Sequence, residues 1–216
     1  MPSFYQPDFQ EFESRFRTTF FNSLSGFKSL NILGTKSLEG NSNLGLFNSI
    51  FHIGANPPLI GLVIRPEGAE HDTLNNILST GMYTLNLVPK AIYKNAHKTS
   101  ARYPSGISEF EPCGLKEVYS ENGFGPYVLE SPIRIGLKKM EIIEIKLNGT
   151  RIVVGEIMEV HLTDEHFISN DGFIDPEKAN LISSVGLDAY YLPSLVSRLS
   201  YAKPYTEPEE LRIEKN

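Results

Sequence analysis

The sequence predicts a mainly β protein: a closed or nearly closed barrel with short helical insertions and an N-terminal helix. Apolar runs of strand length recur at irregular spacing along the 216 residues, and the absence of a regular strand–helix repeat argues against a doubly wound sheet. Apolar and polar residues alternate over 143–148, and residues 151–163 follow Asn148-Gly149. We therefore predict a long β-hairpin with a type I′ turn. With 40% hydrophobic residues, the chain has enough apolar surface for a packed core.

The first half of the chain is predicted to begin with a helix and continue as strands. Phenylalanines recur at intervals of three and four residues, with charged residues between them, which predicts an amphipathic helix over 8–22. The run 59–64 is continuously apolar, so we expect a strand that is buried on both faces. The predicted strands cover 30–35, 44–53, 59–64 and 83–88, and the first two of them form a hairpin.

Two further helices are predicted between the strands. Asp72 is a suitable N-cap, Leu74, Ile77 and Leu78 form an apolar face, and Gly81 follows, which together predict a helix of about two turns. A second helical segment is expected within 89–101. The domain limits that we predict are an N-terminal helical extension over 1–28, a barrel domain over 29–195 and a C-terminal tail over 196–216.

Charge and cysteine content exclude several classes of protein. The formal net charge of −6 disfavours a general nucleic-acid binder or a protein that binds anionic membranes. The single cysteine, Cys113, can form no internal disulfide, and we find no signal peptide and no apolar stretch that would span a membrane. The five histidines lack the spacing of metal ligands, so no metal site is predicted. We expect a cytoplasmic protein.

A basic interval marks the middle of this acidic chain. No acidic residue occurs between Asp72 and Glu109, and the interval contains Lys90, Lys94, Lys98, His97 and Arg102. The predicted helix at Asp72 begins there, and helix N-termini attract anions. Arg65 precedes it and is suited to bidentate binding of a phosphate. The charges alone leave two readings equally open, an anion site or a solvated basic face.

Polar side chains also lie among apolar ones over 41–51. On a strand near a core, amides and hydroxyls need hydrogen-bond partners, which the edges of a flat heteroaromatic ligand would provide. For Asn41 and Ser42, exposure to water is the simpler interpretation.

A series of short motifs extends from about Asn31 to Tyr191: Gly34-Thr35, Asn43-Leu44-x-x-Phe47-x-Ser49, Asn56-Pro57-Pro58, Arg65-Pro66, His71-Asp72-Thr73-x-x-Asn76, Thr80-Gly81, Thr99-Ser100-Ala101-Arg102, Glu109-Phe110, Val154-Gly155-Glu156 and Gly186-x-x-x-Tyr190. In this order, the motifs resemble the flavin reductase-like, FMN-binding split-barrel family. The resemblance implies a split β-barrel that forms a homodimer, with one FMN per subunit, reduced in two-electron steps by NADH or NADPH.

The resemblance also implies the cofactor-binding residues. The isoalloxazine ring or ribityl chain would contact Thr35, Asn43, Asn48 and Ser49. The phosphate would be held by Arg65, His71, Thr73 and Lys98, with Asn76 and Thr99 nearby. The chain departs from the family pattern at Asp72, an acid beside the phosphate, and at Asn48, where many relatives have a small hydroxyl residue.

Three functions follow as hypotheses. The first is an FMN-binding oxidoreductase of the flavin reductase type, in which orientation of the bound groups suffices and no catalytic acid or base is assigned. The second is an electron carrier similar to flavoredoxin, which would exchange electrons with a protein partner. The third is a non-catalytic binding protein on the same fold. Preference for NADH or NADPH is not readable because no Rossmann motif is present.

Overall fold

The computed structural model describes residues 1–66, 72–104 and 106–211. The helices are α1 (Gln6–Glu11), α2 (Ser14–Ser23), α3 (Asp72–Thr80), α4 (Tyr93–Lys98) and α5 (Phe110–Cys113). The strands are β1 (Lys28–Ser29), β2 (Asn31–Lys36), β3 (Ser42–Phe47), β4 (Ile50–Ala55), β5 (Pro58–Ile64), β6 (Met82–Leu87), β7 (Glu117–Val118), β8 (Tyr127–Val128), β9 (Ile133–Ile145), β10 (Thr150–Leu162), β11 (Ser183–Val185) and β12 (Ala189–Tyr191). Within the described residues, no helix is long and apolar enough to cross a membrane.

Seven strands form one antiparallel sheet in the order β3-β2-β6-β9-β10-β5-β4. The two outer strands, β3 and β4, are separated in the chain by Asn48 and Ser49 alone. Three Cα–Cα steps span at most about 11 Å, so the two edges of the sheet must lie close together. The sheet therefore curls into a nearly closed barrel, which confirms the predicted fold class.

The barrel interior is filled by side chains from the inward faces of the strands. Leu33, Leu62, Leu137 and Val153 are fully buried there. The apolar face of α3 closes this core with Leu74 and Ile77, as the sequence pattern predicts, whereas Leu78, the third predicted member of that face, is 49% exposed. Because α3 contributes to the core, its first turn has a fixed position relative to the barrel wall.

A second core lies on the outer face of β2 and β3. Ile32 and Leu44 pack there against α4 and α5, which contribute Ala96, Phe110 and Cys113. β2 is therefore buried on both faces, and the helical segment predicted over 89–101 consists of a short 3₁₀ turn followed by α4.

The N-terminal segment differs from the single helix predicted over 8–22. The chain is extended at Phe12, and α2 then begins with Glu13 as its N-cap. The Glu13 carboxylate accepts hydrogen bonds from the backbone N–H groups of Arg15 and Phe16, which favours a new helix start at this point. The phenylalanine rings of the two helices pack against one another, for example Phe9 on Phe21 with centroids 5.1 Å apart.

Two predictions about the strands were wrong. The strand expected over 44–53 is interrupted at Asn48, whose side-chain amide donates to the Ser184 hydroxyl and the Gly186 carbonyl and so directs the chain to the opposite edge. The long hairpin is confirmed, but its turn is a four-residue loop over 146–149 and not type I′. Among the residues of that loop, Gly149 alone has positive φ, whereas a type I′ turn requires two such residues.

Candidate functional site

A cavity of about 760 Å³ lies where the two edges of the barrel approach each other. Its walls come from β3 and the two residues after it, the end of β5, the first turn of α3, the segment after α4, and residues 184–190. Ligand and cofactor sites typically have volumes of roughly 300–1,000 Å³, so the cavity is large enough for a mononucleotide.

The cavity lining combines apolar and polar residues. Its apolar members include Leu46, Phe47, Val63, Leu187 and Tyr190. Tyr190 is fixed by its hydroxyl, which lies 2.5 Å from Nδ1 of His97 on α4. The apolar and aromatic side chains of the lining suit a flat aromatic ring, and the polar residues described next supply hydrogen-bonding groups.

A buried hydrogen-bond network ties the first turn of α3 to β2 and β3. The side-chain amide of Asn43 donates to the hydroxyl oxygens of Thr35 (3.2 Å) and Thr73 (3.0 Å). The amide of Asn76 donates to the same Thr35 oxygen at 3.1 Å. Thr35 is completely buried, so it lies beneath the cavity and not on its wall. The network therefore positions Thr73 and the α3 N-terminus at the cavity.

Asn48 and Ser49 form the link between the two barrel edges. Both line the cavity, and the Asn48 amide is held by the Ser184 hydroxyl at 3.1 Å and the Gly186 carbonyl at 3.0 Å. The Ser49 carbonyl accepts from the Val63 N–H at 2.9 Å, which attaches the link to β5. These bonds give the link a defined conformation.

Charged groups of both signs reach the cavity. Arg65 and Arg102 line it, and so do Asp72 and Glu109. Arg65 is exposed, and its guanidinium donates to the Asn22 side-chain oxygen of α2 at 2.5 Å. The α3 N-terminus adds the partial positive charge of its first-turn amides, which favours an anionic group nearby.

Glu109 is a buried carboxylate, 6% exposed, that accepts a 2.7 Å hydrogen bond from the Leu44 N–H on the outer edge of β3. Burial raises the pKa of Glu109 above its ordinary value, and the neighbouring Asp72 carboxylate raises it further, against the opposing effect of the Leu44 hydrogen bond. Glu109 therefore keeps its proton to a higher pH than an exposed glutamate would.

The structure brings six of the ten predicted cofactor-binding residues to one cavity and places three others elsewhere. Thr35 and Asn76 lie beneath the wall in the network described above, and Lys98 is an exposed residue at the end of α4 that does not line the cavity. His71 lies outside the described residues. The six that line the cavity are Asn43, Asn48, Ser49, Arg65, Thr73 and Thr99.

The residues of the basic interval between Asp72 and Glu109 divide between a solvated face and the cavity lining. Lys90, Lys94 and Lys98 are exposed and lie away from the lining, as a solvated face would be. Arg102 lines the cavity, as an anion site requires. Ser100 and Arg102 follow the C-terminus of α4 and line the cavity. Thr99, which also lines it, donates its hydroxyl to the Ala96 carbonyl at 2.8 Å.

The predicted site residues did not include four lining residues that come from later parts of the sequence. Glu109 and Tyr190 line the wall, as do Ser184 and Leu187. Glu109 and Tyr190 both occur in the motifs that carry the resemblance, but those motifs assign them no role. Contacts more than 130 residues apart, such as Asn48 with Ser184, leave no local signal in the sequence.

A model of the flavin reductase like domain matches residues 28–172, about two thirds of the chain and most of the cavity lining. The chain belongs to this family. The match includes β2 to β10 and therefore the whole seven-stranded sheet of this flavin reductase-like protein.

Solved structures and a curated relative agree with this assignment. The chain is similar to a protein of Shewanella frigidimarina that has been assigned as a flavin reductase with a split barrel domain, with 42% identity, a TM-score of 0.90, and 94% of this chain and 100% of the other covered. It is similar to flavoredoxin of Desulfovibrio vulgaris, with 25% identity, a TM-score of 0.68, and coverage of 84% and 92%. It is also 30% identical to an uncharacterised protein of Halalkalibacterium halodurans, over 72% of this chain and 77% of that one.

This flavin reductase-like protein is a flavin-related oxidoreductase with a split-barrel fold. Membership of this family explains why apolar side chains, amides, hydroxyls and arginines line the same cavity. A flavin presents a flat ring, hydrogen-bonding edges and a charged phosphate end, and these groups match that lining.

Proposed function

We propose that this protein binds FMN in the 760 Å³ cavity and that the bound flavin is reduced by NADH or NADPH. The observation that carries the proposal is the composition of the cavity lining, in which the first turn of α3 and two arginines occur together with apolar side chains. When bound, FMN supplies two-electron redox chemistry, while the protein binds and orients it.

The residues of the cavity divide between the two ends of such a ligand. Arg65, Arg102 and Thr73, with the first amides of α3, would hold the phosphate. Asn43, Asn48 and Ser49 would hydrogen-bond the ring edge or the ribityl chain. Contributions of His71 and Lys98 to phosphate binding stay predictions from the resemblance. Thr35 and Asn76 would act indirectly, by fixing Asn43 and α3.

The chain's own contribution to the reaction is positional. Phe47 and Tyr190 line the cavity, where their side chains would pack against a bound ring and exclude water from it. No side chain is assigned as a catalytic acid or base, since hydride transfer requires no protein nucleophile.

We further propose a homodimer and a cytoplasmic location, and we place the flavin-binding domain at 29–195, between an extension over 1–28 and a tail over 196–216. The open cavity at the barrel edge is compatible with closure by a second subunit. The formal net charge of −6 is consistent with small-molecule substrates and not with nucleic acid.

A flavoredoxin-like electron carrier is the second candidate, supported by the similarity to flavoredoxin. The two functions differ in the electron donor. Under anaerobic conditions, rapid bleaching of the flavin absorbance by NADH or NADPH supports the reductase, whereas bleaching by dithionite or a reduced protein alone supports the carrier. A protein that binds no FMN contradicts both and leaves a non-catalytic role.

The first test is the visible spectrum of the purified protein, with identification of the flavin released on denaturation. FMN titration of Arg65→Ala then tests the phosphate contact, and the expected loss is about 1.5–3 kcal/mol of binding free energy. Asn22→Ala is the matched control, because it removes the Arg65–Asn22 bond and keeps the arginine. Lys116→Ala controls for the loss of an exposed cation outside the cavity. Unchanged FMN affinity in Arg65→Ala would contradict the assignment.

A further inference from the structure

Glu109 lies at the same part of the cavity as the first turn of α3. It immediately precedes α5, and its Oε2 atom accepts the Leu44 N–H of β3 at 2.7 Å. Asn43, the residue before Leu44, donates its side-chain amide to the Thr73 hydroxyl at 3.0 Å. Glu109 and Thr73 are therefore held by adjacent residues of one strand, and both line the cavity.

The two oxygens of the Glu109 carboxyl group have different surroundings. Oε2 is held by the Leu44 N–H, whereas no other residue in the described part of the chain hydrogen-bonds to Oε1. The residue is buried but lines the cavity, so a ligand that fills the cavity would contact it. A neutral carboxyl group can accept through one oxygen and donate through the other, whereas a carboxylate can only accept.

The acidic groups around Glu109 favour its neutral form. Burial is the main cause that raises the pKa of Glu109, and the Asp72 carboxylate at the start of α3 raises it further. Tyr103, in the segment after α4, and Cys113, on α5, are close enough that the charge of Glu109 raises their pKa values as well. Both are neutral at pH 7, so neither compensates a negative charge on Glu109.

The charged groups of the neighbouring elements provide no counter-ion for this carboxyl group. Among the described residues, no ion pair involves Glu109. Arg65, at the end of β5, is hydrogen-bonded to α2, and Arg102 lies elsewhere on the cavity lining. His97 and Lys98 of α4 are exposed and do not line the cavity, and β3 has no ionisable side chain. An ionised carboxylate at this position would therefore repel a bound phosphate.

We propose that Glu109 binds the flavin phosphate as a neutral carboxylic acid, donating its proton to a phosphate oxygen while its other oxygen keeps the Leu44 hydrogen bond. When Glu109 is ionised in the free protein, binding takes up one proton from solvent, which protonates the carboxylate. The donated bond ends on an anion and is therefore stronger than a bond between neutral groups. The inference rests on the proposed flavin site and adds to it a binding residue and a dependence on pH.

The affinity for FMN should fall as pH rises because of this proton. Glu109 is protonated in the free protein below its own raised pKa, and a bound phosphate raises that pKa further. Between the two pKa values, proton linkage increases the dissociation constant by up to about tenfold per pH unit. Riboflavin lacks the phosphate, so its affinity should change little over the same range.

Titration of the full-length protein with FMN and with riboflavin from pH 5 to pH 8 tests the proposal. Glu109→Gln keeps an acceptor for the Leu44 N–H and a donor for the phosphate but cannot ionise. We expect it to bind FMN as wild type does at pH 5 and about tenfold more tightly than wild type at pH 8. The ratio of the two dissociation constants is the readout, because the phosphate, with a pKa of about 6, titrates with both proteins.

Glu111→Gln is the matched control for the change of a glutamate on this helix. Glu111 is exposed and does not line the cavity, so this variant should follow wild type at every pH. Isothermal titration calorimetry at pH 8, in two buffers of different ionisation enthalpy, then counts protons. Wild type should take up close to one proton more per FMN than Glu109→Gln does.

The outcomes separate the role of Glu109 from the flavin site itself. A ratio that stays constant from pH 5 to pH 8 would overturn the proposal and leave the flavin site intact. Weaker FMN binding by Glu109→Gln at pH 8 would also overturn it, since that result requires an ionised carboxylate that accepts from the ligand. The comparison of FMN with riboflavin in wild type needs no variant, and equal pH dependence of the two ligands would refute a role of the phosphate. A wild type that binds neither ligand at any pH would overturn the proposed function.

Discussion

Replacing Glu109 by glutamine should make the stability of the protein less dependent on pH. Glu109 is buried, and its pKa is raised above the ordinary value of 4.5. Between 4.5 and the raised value, the folded state binds more protons at this site than the unfolded state, so this residue's contribution to stability falls as pH rises. Glutamine cannot ionise, and its side-chain carbonyl can still accept the Leu44 N–H.

The expected result is a stability difference that grows with pH in urea unfolding measured from pH 4 to pH 8 at equal flavin content. Glu109→Gln should gain stability relative to wild type as pH rises above 4.5, and the gain should be absent near pH 4. Glu109→Leu separates the hydrogen bond from the charge, because Leu44 is 2% exposed and its N–H would then lack an acceptor. We expect this variant to lose about 1–3 kcal/mol at pH 4.

A constant difference between wild type and Glu109→Gln across this pH range would refute the reasoning. That outcome would mean that Glu109 is ionised to the same extent in the folded and unfolded states. A Glu109→Leu variant as stable as wild type at pH 4 would show that the Leu44 bond contributes nothing.

Three further predictions concern the barrel. Tyr83 is completely buried and its hydroxyl has no hydrogen-bond partner in the described chain, so Tyr83→Phe should keep or raise stability, by up to about 1 kcal/mol in thermal or urea unfolding. A Cβ at Gly34 would collide with the Pro126 carbonyl and the Thr84 hydroxyl, so Gly34→Ala should destabilise by about 1–3 kcal/mol; wild-type stability would contradict this packing. Burial of Glu159 is outweighed by hydrogen bonds, from His161 first, that lower its pKa to about 2. Glu159→Gln should therefore cost stability at neutral pH, and the cost should vanish as pH falls from 4.5 towards 2; a cost independent of pH would argue against that shift.

Local patterns predicted the elements whose character is set by neighbouring residues. The helix at Asp72 follows from its cap, its apolar face and Gly81, and the long hairpin follows from alternation along both of its strands. The break in the N-terminal helix at Phe12 was missed because the phenylalanine spacing continues through it. The deciding interaction there is the Glu13 carboxylate on two backbone amides, which competes with helix continuation.

The sequence predicted those residues of the candidate site that lie in or next to a recognisable motif. Asn43, Asn48 and Ser49 lie on one strand and its link, and Thr73 follows a helix start. Thr35 was expected at the ligand, yet two amides share its hydroxyl oxygen beneath the wall, a pairing that depends on how β2, β3 and α3 pack. Glu109 and Tyr190 reach the cavity because the folded chain brings together segments that are far apart in the sequence, and no local sequence pattern predicts such contacts.

The cavity and the split in the barrel are the same structural feature. In a closed barrel, the outer edge of β3 would hydrogen-bond to β4. Here the Leu44 N–H on that edge donates to Glu109, so a side chain from a later segment satisfies a backbone group that a neighbouring strand would otherwise pair. The Ser42 side chain on the same strand donates to Glu117. Asn48 holds the link between the edges to residues 184–186, which keeps β4 from closing the gap. The same contacts that prevent closure therefore create the space and the polar wall on which the proposed flavin site depends.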